Sequence, residues 1–69
     1  MQTGFGKALK SARRAKGFTQ MQLAERAGMH PTTISGFELG KREPTLLVIW
    51  TLANALEMSA SELLAGMDS

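Results

Sequence analysis

The sequence predicts an all-α fold, with five short helices packed into one compact domain over residues 1–69. Apolar residues recur at helical spacing in successive segments, and capping residues mark where those segments start and stop. A chain of 69 residues with 43% hydrophobic residues has enough apolar side chains for one small core. It contains no internal repeat, low-complexity tract or linker that would divide it.

The first helix is predicted to run from Gly4 or Phe5 to Lys16, where Gly17 stops it. Its apolar residues fall on one face: Phe5, Ala8, Leu9 and Ala12. Because that face is mostly alanine, we expect it to pack against a core and not against a membrane.

A capping box predicts the start of the second helix. The side chains of Thr19 and Gln22 can each accept a hydrogen bond from an exposed backbone N–H of the other residue. The helix should continue to Ala27, and Gly28 can adopt the positive φ that ends it. Ala24 is small because the next helix should cross it directly.

The third helix is predicted from Pro31, which suits a first helical position, to Phe37 or Glu38, before Gly40. Together with the second helix it has the spacing of two short helices that cross steeply over a tight turn. Apolar residues of both then face one core: Leu23, Ala27, Met29, Ile34 and Phe37. This is a helix-turn-helix unit, over about residues 19–39, and such a unit usually lays its second helix in a DNA major groove.

The fourth helix should follow Pro44 and Thr45 and continue to about Leu56. We predict its inward stripe as Leu46, Ile49, Ala53 and Leu56. A short fifth helix should begin at a second capping box, and its Leu63 should point inward; the box consists of Ser59 and Glu62.

Charge is distributed unevenly along the chain. All eight lysines and arginines lie in residues 1–42, whereas four of the six acidic residues lie in residues 43–69. Such asymmetry suits a polyanion on one face and a different contact on another. For Lys7 and Lys10, a solvated helix face and a phosphate contact remain equally open interpretations.

Several classes of function are disfavoured. The chain has no cysteine and one histidine, so we expect no metal site and no cofactor, and no small-molecule ligand site is evident. Without paired carboxylates in an identifiable cleft or a glycine-rich phosphate loop, we expect no enzyme. No apolar run approaches a membrane span or a signal peptide. We therefore expect a cytoplasmic protein, associated with the nucleoid in a prokaryote.

The chain resembles the phage-repressor/Cro (XRE-type) helix-turn-helix family over about residues 5 to 65. The matching motifs are Gly17-x-Thr19-Gln20-x-x-Leu23-Ala24, Gly28, Ile34-Ser35, Glu38-x-Gly40-Lys41-x-x-Pro44 and Ala53-x-x-Leu56. Ile34-Ser35-Gly36 followed by Glu38 is most similar to restriction–modification controller proteins. The resemblance implies a lambda-repressor-like five-helix domain, usually homodimeric, that binds a palindromic operator in double-stranded DNA to repress or activate transcription.

The resemblance also implies phosphate contacts from Gln20, Lys41, Arg42 and Arg14. Gln20 would stand at the start of the second helix, where unpaired N–H groups and the helix dipole attract an anion. The alternative for Gln20 is a plain helix-start residue without a DNA contact.

Base contacts are expected from the start of the third helix, at His30, Thr32, Thr33, Ser35 and Gly36. Helix capping is nearly as good an explanation for Thr33, and His30 is an N-cap or loop residue if it does not reach the DNA. Pro31 and Gly36 stand where relatives often carry side chains that read bases. We therefore expect modest direct readout and greater reliance on DNA shape.

The resemblance further suggests a buried or half-buried ion pair between Arg13 and Glu38 that joins the first helix to the end of the third. We interpret this pair as mainly structural.

More apolar residues occur in the acidic half than one small core can bury. We predict that they form a homodimer interface; these residues are Leu47, Val48, Trp50, Met58, Leu64 and Met67. Whether Trp50 anchors this interface or belongs to the core stays open at this stage. The alternative function is an antitoxin-like or other protein-interaction module that binds a partner protein through the same face.

Overall fold

The computed structural model describes residues 4–68, and over these residues the chain forms five α-helices followed by one 3-10 turn. The helices are α1 (Gly4–Ala15), α2 (Gln20–Ala27), α3 (Pro31–Glu38), α4 (Leu46–Ala55) and α5 (Ala60–Ala65), and the 3-10 turn is Gly66–Asp68. The all-α prediction is confirmed, and the predicted helix ends agree with the structure to within about one residue.

The predicted caps account for this agreement. In α2 the backbone N–H of Gln22 donates to Thr19 Oγ1 at 3.0 Å, and the backbone N–H of Thr19 donates to Gln22 Oε1 at 2.9 Å. Ser59 and Glu62 form the same reciprocal box at the start of α5. Gly28 ends α2 with φ 68°, in the left-handed region that glycine adopts without strain.

The core lies where α1, α2 and α4 surround α3 and α5. Its buried apolar side chains are Phe5, Leu9, Leu23, Ala24, Ile34, Phe37, Leu52, Ala53, Ala55, Leu56 and Leu63. Phe5 and Phe37 meet edge to face with ring centroids 6.1 Å apart, which joins α1 to α3. Ala24 is 1% exposed at the crossing of α2 and α3, as its small size predicts.

Gly6 sets the distance between α1 and α3. A Cβ atom at this position would lie 2.6 Å from the carbonyl oxygen of Phe37 and 2.8 Å from that of Glu38. The backbone of α1 therefore packs directly against the end of α3, which only glycine allows. The sequence analysis did not identify this contact.

The predicted inward stripe of α4 is partly wrong. Leu46 is 82% exposed, whereas Leu52, which the prediction omitted, is fully buried. Ala53 and Leu56 are buried and Ile49 is partly buried, as expected. Thr45 caps the helix by accepting the N–H of Val48, so Leu46 is the first residue of α4 and extends beyond the core.

Among residues 4–68 no helix has the length and apolar character that crossing a bilayer requires.

Candidate nucleic-acid interface

Helix α3 turns one side to the core and the other outward. Ile34 and Phe37 are buried, while Thr32 is exposed and Thr33, Ser35 and Gly36 are half-buried. The outward side is thus accessible over the part of α3 that the sequence assigned to base contacts.

His30 caps α3, as the sequence predicted for this position. Its Nδ1 atom accepts the backbone N–H of Thr32 at 3.4 Å and lies 2.9 Å from Thr32 Oγ1. His30 and Thr32 are both exposed, so this contact brings two predicted base-contacting residues together at the start of the helix.

A buried ion pair connects α1 with the end of α3, which confirms the predicted Arg13–Glu38 contact. Arg13 Nε donates to Glu38 Oε2 at 2.6 Å and Nη2 donates to Oε1 at 3.0 Å, while Nη1 donates to the carbonyl of Phe18 at 2.8 Å. The side chains are 10% and 3% exposed. Arg13 is therefore occupied by protein acceptors at the base of the helix-turn-helix.

The pKa values of the pair shift in the directions that favour both charges. The hydrogen bond to Glu38 raises the pKa of Arg13 despite burial. Burial opposes ionisation of Glu38, but hydrogen bonds from Arg13 and Gln20, with the nearby charges of Arg13 and Lys10, outweigh it and lower the pKa of this carboxyl.

Gln20 also contacts Glu38, which the sequence analysis missed. Gln20 Nε2 donates to Glu38 Oε1 at 3.0 Å, so one carboxylate joins α1, α2 and α3. A side-chain amide carries two N–H donors, and this bond uses one of them. The spacing of 18 residues between Gln20 and Glu38 leaves no local signal in the sequence.

The segment after α3 returns to the same helix. The backbone N–H groups of Lys41 and Arg42 both donate to the carbonyl of Gly36, at 2.9 and 3.2 Å. Lys41 and Arg42 are exposed, so two cations lie beside α3. Arg14 lies elsewhere, on α1, where it lines a shallow groove together with Lys7 and Lys10.

Leu46, Leu47 and Trp50 form an exposed apolar patch on α4. They are 82%, 67% and 60% exposed, and together with Ile49, Ala60 and Leu64 they line one shallow groove. Trp50 is therefore a surface residue and not part of the core.

The other predicted interface residues differ from the patch. Val48, Met58 and Leu64 are partly buried against the core, and Met67 is 40% exposed beside Phe5. Leu46, which the sequence analysis placed inside, is instead the most exposed member of the patch.

Arg26 has a structural role that the sequence analysis did not assign. Its guanidinium lies 4.8 Å from the centre of the Phe18 ring, and its Nε donates to the carbonyl of Ala55 at 3.0 Å. Its Nη2 pairs with Glu57 at 3.3 Å. These contacts join α2 to the end of α4. The basic charge of Arg26 therefore serves the fold.

Residues 9–63 match the family described as helix-turn-helix (HTH_3). The structure is also similar to the restriction-modification controller protein C.AhdI from Aeromonas hydrophila. The TM-score is 0.85 and the identity 38%, over 88% of this chain and 92% of that chain. These similarities confirm the resemblance to XRE-type helix-turn-helix proteins and to restriction–modification controllers.

Two curated relatives are similar over most of the chain. YonR, a prophage-derived HTH-type transcriptional regulator of Bacillus subtilis, is 37% identical over 90% of this chain, which spans 57% of the length of YonR. The antitoxin HipB of Escherichia coli is 35% identical over 83% of this chain and 65% of its own length. The chain thus spans little more than half of the first of these relatives.

Proposed function

The chain belongs to the helix-turn-helix (HTH_3) family, and we propose that it is a transcriptional regulator, a repressor or controller, that binds double-stranded DNA as a homodimer at a palindromic operator. It would act where that DNA lies, in the cytoplasm and, in a prokaryote, at the nucleoid. The outward side of α3 supports this function most strongly, because it carries short polar side chains on a helix that is fixed from behind by a buried ion pair. A helix presented in this way fits the width of a major groove.

Phosphate contacts would surround α3. Lys41 and Arg42 lie at its end, and Gln20 lies at the start of α2, where the helix dipole favours an anion. The second N–H of the Gln20 amide would reach a phosphate while the first stays with Glu38. Arg14 would contact a phosphate from α1.

The proposed base contacts come from His30, Thr32, Thr33, Ser35 and Gly36. Threonine can offer a hydroxyl to a base edge and a methyl group to thymine, but it makes none of the bidentate contacts that arginine or glutamine make. Pro31 adds no donor. Sequence preference would therefore depend in part on the shape and deformability of the DNA.

The apolar patch on α4 would form the dimer interface, with Trp50 as its anchor. Dimerisation would place two copies of α3 about 34 Å apart, which is one turn of DNA, so the operator should be an inverted repeat. Aromatic side chains in the centre of an interface often contribute most of its binding energy.

Selection of bound duplexes from a random pool would identify the operator and its symmetry. Binding to the selected duplex should then be measured over a series of salt concentrations. With about three phosphate contacts in each half-site, log K should fall with log salt at a slope of about −5. A slope near zero, or selected duplexes without half-site symmetry, would contradict the proposal.

Two lysines provide a matched pair of variants. Lys41→Ala should reduce the magnitude of the slope by about 2 for a dimer, one for each phosphate contact removed. Lys16→Ala removes the same charge at the end of α1, next to Glu62, and should leave the slope unchanged.

The second candidate is an antitoxin-like module that binds a partner protein through the apolar patch. The similarity to HipB and the exposure of Trp50 favour it. Sedimentation of the pure protein separates the two candidates. A self-dimer with salt-sensitive duplex binding supports the regulator, whereas a monomer without duplex affinity supports the interaction module.

A further inference from the structure

Gly36 lies on α3 directly below the side chain of Arg42. A Cβ atom at position 36 would lie 2.8 Å from Arg42 Cδ, 3.0 Å from Cγ and 3.8 Å from Cβ, and these are its three nearest neighbours. The stem of Arg42 thus occupies the space that a side chain at position 36 would fill. A glycine in the interior of a helix otherwise lowers its stability relative to alanine.

The backbone fixes this arrangement. The N–H of Arg42 donates to the carbonyl of Gly36 at 3.2 Å, and the N–H of Lys41 donates to the same oxygen at 2.9 Å. Arg42 therefore starts from a defined point beside α3, and its aliphatic stem crosses the helix at Gly36. The guanidinium at the end of that stem is consequently directed by α3 and not only by the loop that follows it.

We propose that Gly36 is a positioning residue, which acts on DNA through Arg42 and not through a close approach of the DNA to its own backbone. This inference rests on the proposed function, because it assigns Arg42 to the duplex contact. Glycine at 36 provides a seat for the Arg42 stem, and any larger residue displaces that stem. Displacement needs only rotation of a flexible side chain, so the fold should tolerate it.

The seat itself can be tested in the free protein by NMR. In the wild-type chain the Gly36 Hα protons should show strong nuclear Overhauser effects to the γ and δ protons of Arg42. Gly36→Ala should abolish the corresponding effects between residues 36 and 42 while the chain stays folded. Absence of these effects in the wild type would overturn the proposal whether or not the protein binds DNA.

A double-mutant cycle tests the role in binding, with the selected operator duplex as the probe. Gly36→Ala should weaken binding on the order of tenfold in the wild-type background, which is the loss expected for one charge-assisted contact. In the Arg42→Ala background it should cause no further loss. An equal loss in both backgrounds would mean that DNA contacts Gly36 directly, and would overturn the proposal.

Lys41 provides the control, because it carries the same charge in the same segment but does not supply the atoms nearest to position 36. The effects of Gly36→Ala and Lys41→Ala should therefore add. Coupling of Gly36 to Lys41 as strong as its coupling to Arg42 would overturn the specific role of Arg42. A wild-type chain without salt-dependent duplex binding would refute the proposed function, while the NMR experiment would still decide on the seat.

Discussion

Glu38 is the residue on which the helix-turn-helix depends most. Its carboxylate accepts hydrogen bonds from Arg13 on α1 and Gln20 on α2 while it belongs to α3 itself. The resemblance to relatives predicted the contact with Arg13, but the contact with Gln20 follows only from the way α2 and α3 cross. Sequence motifs identify such residues more readily than they identify every partner.

Glu38→Ala should lower the free energy of unfolding by about 3–5 kcal/mol, because it leaves the buried Arg13 charge without its partner. Urea denaturation measures this difference. Glu57→Ala is the control, since the Arg26–Glu57 pair has side chains that are 43% and 70% exposed. It should change stability by less than about 1 kcal/mol. Equal stabilities of Glu38→Ala and the parent would contradict a structural role.

The lowered pKa of Glu38 predicts a loss of stability in acid. Because the carboxyl binds its proton at lower pH in the folded chain than its ordinary value of 4.5, the unfolded chain is protonated first as the pH falls. The contribution of Glu38 is therefore complete above about pH 5 and is lost as the pH falls through the folded-state pKa.

Denaturation at a series of pH values should show a smaller acid-induced loss in Glu38→Gln than in the wild type. Glu62, whose pKa is lowered by hydrogen bonds from the backbone and side chain of Ser59, would still contribute in both proteins. Identical pH profiles would mean that Glu38 has no lowered pKa.

Helix ends were more predictable than helix orientation. Capping boxes at Thr19 and Ser59 are local, so the sequence contains all the information that they require. The segment LLVIWTLANAL in α4 is apolar almost all round, and periodicity then has no polar face that defines the inward side. This is why Leu46 was predicted to be buried and Leu52 was not.

Close helix packing was the other feature that the sequence did not disclose. Gly6 and Gly36 look alike as glycines within helical segments, yet one faces backbone and the other faces a flexible side chain. The difference depends on which element lies across each glycine, and this is determined by the tertiary structure.

Gly6→Ala should lower the free energy of unfolding by about 1–3 kcal/mol, although alanine favours helices, because its Cβ would collide with the carbonyl oxygens that end α3. Urea denaturation of this variant is best compared with that of Gly36→Ala, whose Cβ would meet only Arg42. The second variant should be at least as stable as the wild type. A Gly6→Ala protein of unchanged stability would contradict the close packing of α1 on α3.

At the scale of the whole molecule, two surfaces of different chemistry follow from one uneven sequence. The basic residues precede position 43, and the structure places Lys41 and Arg42 beside α3, while the acidic half carries the apolar patch. The fold could be predicted almost completely. The site could be predicted only as a set of residues, because the order of contacts around α3 depends on how the chain returns to Gly36.

Exposure of Trp50 makes dimerisation observable, because it is the only tryptophan of the chain. If two patches meet, its fluorescence emission should shift to shorter wavelength as the protein concentration rises. Leu47→Glu should suppress this shift and yield a monomer on sedimentation, since an acidic residue near the start of α4 suits the helix dipole but not an apolar interface. Leu39→Glu, a comparable change at an exposed leucine outside the patch, should leave the shift intact.

The junction of three helices at Glu38 has a thermodynamic consequence. Since α1 and α2 both donate to this carboxylate, the groove-facing rod is pre-organised before any duplex arrives. Association should then order side chains and displace water without folding any helix. Calorimetry should accordingly find a heat-capacity change that matches the apolar area removed from solvent, with none of the excess that coupled folding produces.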